Sequence, residues 1–480
     1  MSNFDFILKN KIFKTFAEAS VEAEKSIAVT NVSCAIMCRR ALELAVKWLY
    51  ANDKELIMPY QDNLSSLVYD INFRNMIDEN IFKEITYIIK LGNFSVHSNK
   101  KVTRDEAVIC LKYLFDFMNW VSYCYDSDYK DVTFDESILP NLSSDNLKKE
   151  QREELENKLY EKDIELEKTL KENEELRNKL TAERTSKKES YNFKVDDISE
   201  FETRKRFIDL DLEIAGWEFG KNIVEELEVS NMTPTQDKGF VDYVLFGENG
   251  KPLAVVEAKR TSKDAKYGQQ QAKLYADCIE REYAQRPIIY YTNGKEIYMW
   301  DDLDYPERKV AGFYTQKELQ LLINRRKSKE NLEHIFIDDK ITNRPYQLEA
   351  IKNVCEAFEQ KHRKALLVMA TGTGKTRTAI SIVDVLTGKN WVQNVLFLAD
   401  RTELVRQAEK NFKKLLPDIS CCNLLSSKDG DPEDCRIVFS TYQTMINCID
   451  SVKAKNGDKL FTPGHFDLII IDEAHRSIYK

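Results

Sequence analysis

Hydrophobic positions change period along the chain, and the changes divide it. From Val29 to Tyr50 the apolar residues Ile36, Leu42, Leu44, Val46, Trp48 and Leu49 recur without proline or glycine. Ala107 to Tyr125 repeats the pattern with Val108, Leu111, Leu114, Phe115, Met118 and Trp120. Both stretches predict long amphipathic helices. Thr103 followed by Glu106 is a capping box for the second. Between them, Gly92 in Leu91-Gly92-Asn93-Phe94-Ser95-Val96-His97 reads as a helix stop. Residues 1–142 are therefore expected to form a helical domain.

Residues 143–190 turn to Lys, Glu, Leu and Asn. Leu159, Leu166, Asn173 and Leu180 are spaced by heptads, and Leu155 and Leu176 fit the companion position. Lys162 and Thr169 interrupt that second seam. Asn173 would set the register of a coiled coil, but the half-polar seam favours a single solvated spacer helix.

Residues 191–325 read as a mixed unit. A helix running from Glu202 is stopped by Gly216. Val241–Phe246 and Leu253–Lys259 are apolar runs joined through Asn249-Gly250, a hairpin signal. Pro287–Gly294 supplies another strand and turn, and the basic run Asn324–Lys329 reads first as a solvated linker. Residues 326–480 alternate as a parallel α/β sheet does. Ala365–Val368 is expected as a buried parallel strand, with further strands at Asn394–Leu398, Cys435–Phe439 and Asp467–Ile471.

Composition narrows the class. The chain has 480 residues, 42% of them apolar, so several cored domains are affordable. No apolar run approaches the roughly 18 residues of a membrane span, and the first residues lack signal-peptide character, so a cytoplasmic protein without membrane contact is expected. Ten cysteines and five histidines are dispersed, which points to buried thiols rather than zinc or disulfides. The net charge of −9 does not exclude nucleic acid, because basic residues can line one channel.

Candidate chemistry lies in two places. Met369-Ala370-Thr371-Gly372-Thr373-Gly374-Lys375-Thr376 sits between an apolar run and a helical pattern. Met369 replaces the usual first glycine, but Gly372, Thr373, Gly374, Lys375 and Thr376 keep a phosphate-binding loop intact. Lys375 would reach the phosphates of ATP and Thr376 would hold Mg²⁺. Asp472-Glu473-Ala474-His475 ends an apolar strand; Asp472 would bind Mg²⁺, Glu473 would activate water and His475 would relay nucleotide state. In the middle unit Glu257 and Lys259 share one strand face and Asp242 lies on the neighbouring strand. Two carboxylates and a lysine suit metal-dependent phosphodiester hydrolysis: Asp242 and Glu257 would hold Mg²⁺, and Lys259 would orient water or stabilise charge. Gln271 and Tyr275 follow on one helix face.

These residues carry a resemblance. Glu202-Thr203-Arg204, Ile208-Asp209, Ala215-Gly216-Trp217, Asp242, Glu257-Ala258-Lys259 and Gln271-x-x-x-Tyr275 resemble the N-terminal nuclease of type I restriction enzyme R subunits. That resemblance implies a PD-(D/E)XK fold with Asp242, Glu257 and Lys259 as its core, Glu202 and Gln271 as auxiliaries and Tyr275 as a DNA contact. Arg344-Pro345-Tyr346-Gln347 resembles the adenine-reading motif of superfamily 2 helicases, with Gln347 on the adenine edge and Tyr346 or Arg344 supporting the ring. A helix start at Pro345 is the structural alternative. Asp400-Arg401 and Ser440-Thr441 resemble the DNA-backbone contacts of that family. Residues 1–130 are similar, more loosely, to HEPN-like helical domains, although Asn93 precedes His97 without the arginine of active ribonucleases.

The implied whole is multidomain α and α/β. It comprises a helical HEPN-like domain (1–142), a helical or coiled-coil spacer (143–190), a PD-(D/E)XK nuclease (191–325) and the first RecA-like ATPase lobe of a DEAD/DEAH-type motor (326–480). The implied activity is that of an ATP- and Mg²⁺-dependent restriction endonuclease and DNA translocase acting on double-stranded DNA with methyltransferase and specificity subunits. The sequence reading expects a front portion lacking the second motor lobe. A nuclease–helicase fusion of another defence system, a non-catalytic DNA-binding or docking fragment and an RNA-binding adaptor are the rival readings.

Overall fold

The structure, a computed structural model, describes residues 2–59, 62–97, 102–140, 174–189, 193, 200–233, 236–259, 265–294, 296–426, 431–451 and 460–474. The chain divides into two compact units, 1–198 and 199–480.

The first unit is helical. Its long helices are α1 (Lys14–Ser26), α2 (Asn31–Asn52), α3 (Glu79–His97), α4 (Arg104–Tyr125) and α5 (Glu174–Glu189). The expected capping box is present: the Glu106 amide donates to Thr103 Oγ1 at 3.3 Å and the Thr103 amide to Glu106 Oε2 at 2.7 Å. α2 and α4 bury the predicted apolar faces, with Trp48 edge-on to Tyr125, Phe13 and Phe16.

Gly92 does not stop a helix; α3 runs through it to His97. A Cβ on Gly92 would lie 2.6 Å from Arg39 Cβ, so glycine is what lets α3 and α2 approach this closely. The side chain of His97 lies outside the described residues.

Of the expected spacer, Leu155, Leu159, Lys162, Leu166, Thr169 and Asn173 lie outside the described residues, as does the side chain of Leu176. The described part, α5, docks instead of standing free. Its Arg184 is 4% exposed and donates Nε–H to the fully buried Asp53 at 2.6 Å, where Tyr125 O–H also donates at 2.7 Å. Lys187 Nζ donates to the Tyr123 and Asp126 carbonyls at 2.8 and 2.7 Å.

In the second unit α6 (Glu200–Ile214) ends as Gly216 predicts. Gly216 takes φ +84°, its N–H donates to Glu213 O, and Trp217 N–H donates to Leu212 O. A six-stranded sheet follows in sequential order: β1 (Ile223–Thr233), β2 (Gln236–Phe246), β3 (Pro252–Ala258), β4 (Ile288–Thr292), β5 (Ile297–Trp300) and β6 (Arg308–Val310). Only β3 and β4 pair in parallel, which the crossover helix α7 (Gln269–Tyr283) between them permits. One sheet face packs on α6 and α8 (Gln316–Ser328), the other on α7.

The basic run in and after α8 is not a solvated linker. Arg325 binds Asp467 at 2.7 Å, Arg326 binds Asp301 at 2.7 Å, and Lys329 lies 4.2 Å over the Trp391 ring. Asp467 also accepts from the Gln393 and Asn394 amides at 2.8 and 3.0 Å. The positive charges therefore tie the six-stranded sheet to the α/β layer that follows.

That layer holds α9 (Pro345–Glu359), α10 (Lys375–Gly388), β7 (Val395–Ala399), α11 (Thr402–Leu415), β8 (Cys421–Asn423), β9 (Ile437–Thr441), α12 (Tyr442–Ser451) and β10 (Leu468–Ile471). Its four described strands are parallel, in the order β10-β7-β9-β8. Ala365–Val368 is not a buried strand: it joins no ladder, and Leu366 and Val368 are 80% and 90% exposed. A short apolar run specifies burial only when a neighbour offers the ladder.

Candidate functional site

The β2–β3 register pairs Tyr243 with Val256 and Val244 with Val255. One further step sets Asp242 opposite Glu257, on the face that α7 covers. Asp242 Oδ2 accepts the Ala258 amide at 2.6 Å, which fixes this carboxylate at the end of β3. Glu257 is 3% exposed, and its Oε1 accepts from Lys259 Nζ at 2.5 Å. Lys259 also donates to Gln271 Oε1 at 2.6 Å, while its own amide donates to Thr292 O at 2.7 Å. A buried carboxylate is tolerable here because it is paired and hydrogen-bonded.

Gln271 in turn donates Nε2–H to Tyr275 O–H at 2.7 Å. Asp242, Glu257, Lys259, Gln271 and Tyr275 are thus brought together as the sequence spacing suggests. Tyr275 differs from expectation in one respect. It is buried against Met232 and Gly239 and steadies Gln271 rather than presenting a face to nucleic acid. Burial, helped by the nearby carboxylates, raises its phenol above the ordinary tyrosine value. Glu202 lies on α6, and its side chain is outside the described residues.

Two carboxylates on adjacent strands suit Mg²⁺, which takes one or two protein carboxylates and fills its shell with water and phosphate oxygens. Among the described residues no denser cluster of three or more His, Cys, Asp or Glu side chains forms a metal site. Glu307 went unrecognised in the sequence. It receives the Tyr291 hydroxyl at 2.7 Å, and Tyr291 is the β4 partner of Glu257. No periodicity or motif marks it.

The second cluster surrounds the loop before α10. Gly374 caps that helix at φ +91° and Gly372 turns at φ +79°. A Cβ on Gly372 would meet nothing within 4 Å, whereas one on Gly374 would lie 2.4 Å from Gln347 Nε2. Thr376 sits in the first turn of α10, half-buried. Lys375 Nζ donates to Glu473 Oε1 at 2.5 Å. That bond raises the Lys375 ammonium above its usual value. Asp472 continues from β10 with its amide on Leu398 O at 2.9 Å, and burial lifts its carboxyl above the ordinary range. Glu473 takes φ +52°, a left-handed conformation uncommon outside glycine. The open turn, helix N-terminus and lysine fit a nucleotide phosphate.

Gln347 is buried and grips this loop. Its Nε2 donates to Thr373 O at 2.8 Å, and its Oε1 accepts from the Thr342 hydroxyl. Tyr346 O–H donates to the same carbonyl at 2.8 Å, and Arg344 donates to Tyr346 at 2.8 Å. The three residues gather at this loop and brace it, with Pro345 at the first position of α9. Of the expected backbone contacts, Arg401 is exposed, but Ser440 is fully buried and Thr441 Oγ1 caps α12 through the Thr444 amide at 3.3 Å. His475 lies outside the described residues.

Three family models match. Residues 340–480 match the type III restriction enzyme res subunit, residues 123–308 the type I restriction enzyme R protein N terminus, and residues 21–173 a domain of unknown function, DUF4145. The type I restriction enzyme EcoAI endonuclease subunit of Escherichia coli is 31% identical over 55% of this chain and 34% of its own length. The EcoKI endonuclease subunit of E. coli K12 is 28% identical over 58% of this chain and 29% of its own. The chain thus spans about a third of the length of these curated relatives. A solved fragment described as an HsdR subunit of a type I restriction enzyme from Vibrio vulnificus YJ016 is 26% identical over 58% of this chain and 52% of its own, with a TM-score of 0.24. No described helix is long and apolar enough to cross a membrane. The R protein N-terminus model and the curated relatives make the chain similar to the N-terminal portion of type I restriction enzyme R subunits, and the res-subunit model extends that similarity to restriction enzymes over residues 340–480.

Proposed function

We propose that this chain carries the nuclease and the first ATPase lobe of a cytoplasmic type I restriction enzyme, cutting double-stranded DNA with ATP and Mg²⁺. The observation that carries the reading is one compact unit holding both the Asp242–Glu257–Lys259–Gln271 cluster and the Lys375–Glu473 pair. In this reading the six-stranded unit is a PD-(D/E)XK nuclease (191–325), residues 326–480 a RecA-like lobe, residues 1–142 a HEPN-like helical domain and residues 143–190 its connection.

Mg²⁺ held by Asp242 and Glu257 would polarise the scissile phosphate and make an attacking water more acidic. Lys259 is fixed beside that site by Glu257 and Gln271, so its positive charge is already aimed where negative charge develops on phosphorus. Tyr275 holds Gln271, and Asp242 is locked by the Ala258 amide. In the ATPase, the loop amides and Lys375 bind phosphate, and Thr376 with Asp472 would hold the nucleotide's Mg²⁺. Once Lys375 turns to phosphate, Glu473 is released to accept a proton from water. Motion along DNA and recognition of the site belong to the complete R subunit with its methyltransferase and specificity partners.

The test is reconstitution. A full-length R subunit carrying Glu257→Ala, assembled with its methyltransferase and specificity subunits, is expected to hydrolyse ATP on unmethylated plasmid without cutting it. Lys375→Ala is expected to lose both activities. Plasmid cleavage by the Glu257→Ala complex at the wild-type rate would overturn the assignment.

A further inference from the structure

The turn before α7 lies directly over the Glu257–Lys259 pair. A Cβ on Gly268 would sit 3.1 Å from Lys259 Cγ and 3.3 Å from Glu257 Cγ. Three residues later Gln271 makes its bond to Lys259. Whatever fixes residues 265–269 therefore sets the reach of Gln271 and the room above the reacting groups.

One carboxylate fixes them. Glu307, in the segment before β6, accepts from Gln269 Nε2 and from the Tyr291 hydroxyl with the same oxygen, Oε2. Its other oxygen, Oε1, faces Lys266 Nζ at 3.6 Å. Tyr291 is itself rigid: it is fully buried and stacked on Tyr298, with ring centroids 5.1 Å apart and planes 4° from parallel. Its backbone pairs with Glu257. Glu307 thus links the strand beside the reacting carboxylate to both ends of the turn that covers it.

We infer that Glu307 is a positioning residue of the nuclease, clamping residues 265–269 over the Glu257–Lys259 pair so that Gln271 holds Lys259 in place. It touches none of the reacting groups. This rests on the nuclease reading of the cluster. Small displacements of a fixed group cost large factors in rate, so loss of the clamp reads out in turnover.

The experiment compares this chain with its Glu307→Ala, Glu307→Gln and Glu257→Ala/Lys259→Ala variants, by Mg²⁺-dependent nicking of supercoiled plasmid and by hydrogen–deuterium exchange. Glu307→Ala is expected to slow nicking about tenfold at an unchanged Mg²⁺ midpoint, and to speed amide exchange in residues 265–271 but not in β2 and β3. Glu307→Gln retains an oxygen for Tyr291 and Gln269, so it is expected to restore nicking to within about threefold of wild type and to restore protection. Wild-type exchange in residues 265–271 of Glu307→Ala overturns the clamp, whether or not the chain nicks DNA. Faster exchange there with undiminished nicking overturns the positioning role. Nicking that survives in Glu257→Ala/Lys259→Ala overturns the nuclease reading instead, and leaves the exchange arm to decide the clamp.

Discussion

Lys375 and Glu473, far apart in sequence, meet through a 2.5 Å hydrogen bond between the start of α10 and the end of β10. The cation that would bind phosphate and the carboxylate that would activate water occupy each other. Nucleotide must therefore compete with Glu473 for Lys375. Glu473→Gln removes the competing charge and is expected to tighten ATP binding about three- to tenfold, the worth of one charge-assisted bond at a partly exposed site, while lowering hydrolysis. Lys375→Ala is expected to weaken binding by about tenfold or more. Titration with a fluorescent ATP analogue checks both. Unchanged affinity in Glu473→Gln would show that the pair does not gate the site.

Gly92 gives a stability prediction with a definite sign. In an open helix, glycine to alanine gains about 1 kcal/mol. Here the new methyl would press on Arg39 Cβ at 2.6 Å, an atom fixed to its own backbone. Overpacking of this kind costs about 1–3 kcal/mol. Gly92→Ala is expected to lower the unfolding midpoint of the helical unit. A rise would mean that α2 and α3 have room to separate.

The buried Arg184–Asp53 pair predicts a larger effect. Arg184→Ala removes the cation beside the fully buried Asp53 and leaves it the Tyr125 hydroxyl as a side-chain donor, and loss of one partner of such a pair costs about 3–5 kcal/mol. Denaturant unfolding of the helical unit, together with amide exchange in residues 174–189, is expected to show both lower stability and release of α5. Release of α5 without loss of stability would show that Asp53 is satisfied by other means.

These two cases show how far the sequence could be read. The long helices, the Thr103–Glu106 capping box, the Gly216 stop and the β2–β3 hairpin were legible because each rests on neighbours in the chain. Gly92 was misread because a glycine at a helix crossing and a glycine at a helix end look the same until the second helix is known. Arg325, Arg326 and Lys329 read as solvated because their partners Asp467, Asp301 and Asp304 are set by tertiary packing. The same holds for Arg184. In the candidate site, Glu257, Lys259, Gln271 and Tyr275 were legible from strand and helix period. Glu307 was not, because it arrives from an irregular segment. Ala365–Val368 carries a strand's composition, but composition does not supply a pairing neighbour.

Glu84 provides a pH test. Burial, and then the nearby Asp116, hold its carboxyl well above the ordinary range. A carboxyl with a raised folded value stabilises the fold fully below its unfolded value of about 4.3, and that contribution is lost as pH rises towards the folded value. Protonated Glu84 and glutamine are alike at low pH. Glu84→Gln is therefore expected to match wild type near pH 4 and to gain thermal stability over it as pH rises. Thermal melts of both proteins across that range check it, and a difference that shrinks with pH would contradict the buried neutral carboxyl.

The central claim is that Glu257 and Lys259 belong to a DNA-cutting site. Its most direct measurement is the nicking of supercoiled plasmid by this chain with Mg²⁺, beside the Glu257→Ala/Lys259→Ala variant. The account predicts Mg²⁺-dependent nicking that needs no ATP in this chain by itself, where cutting is not coupled to the motor as it is in the assembled complex, and that the variant loses. Equal nicking by both proteins would contradict it.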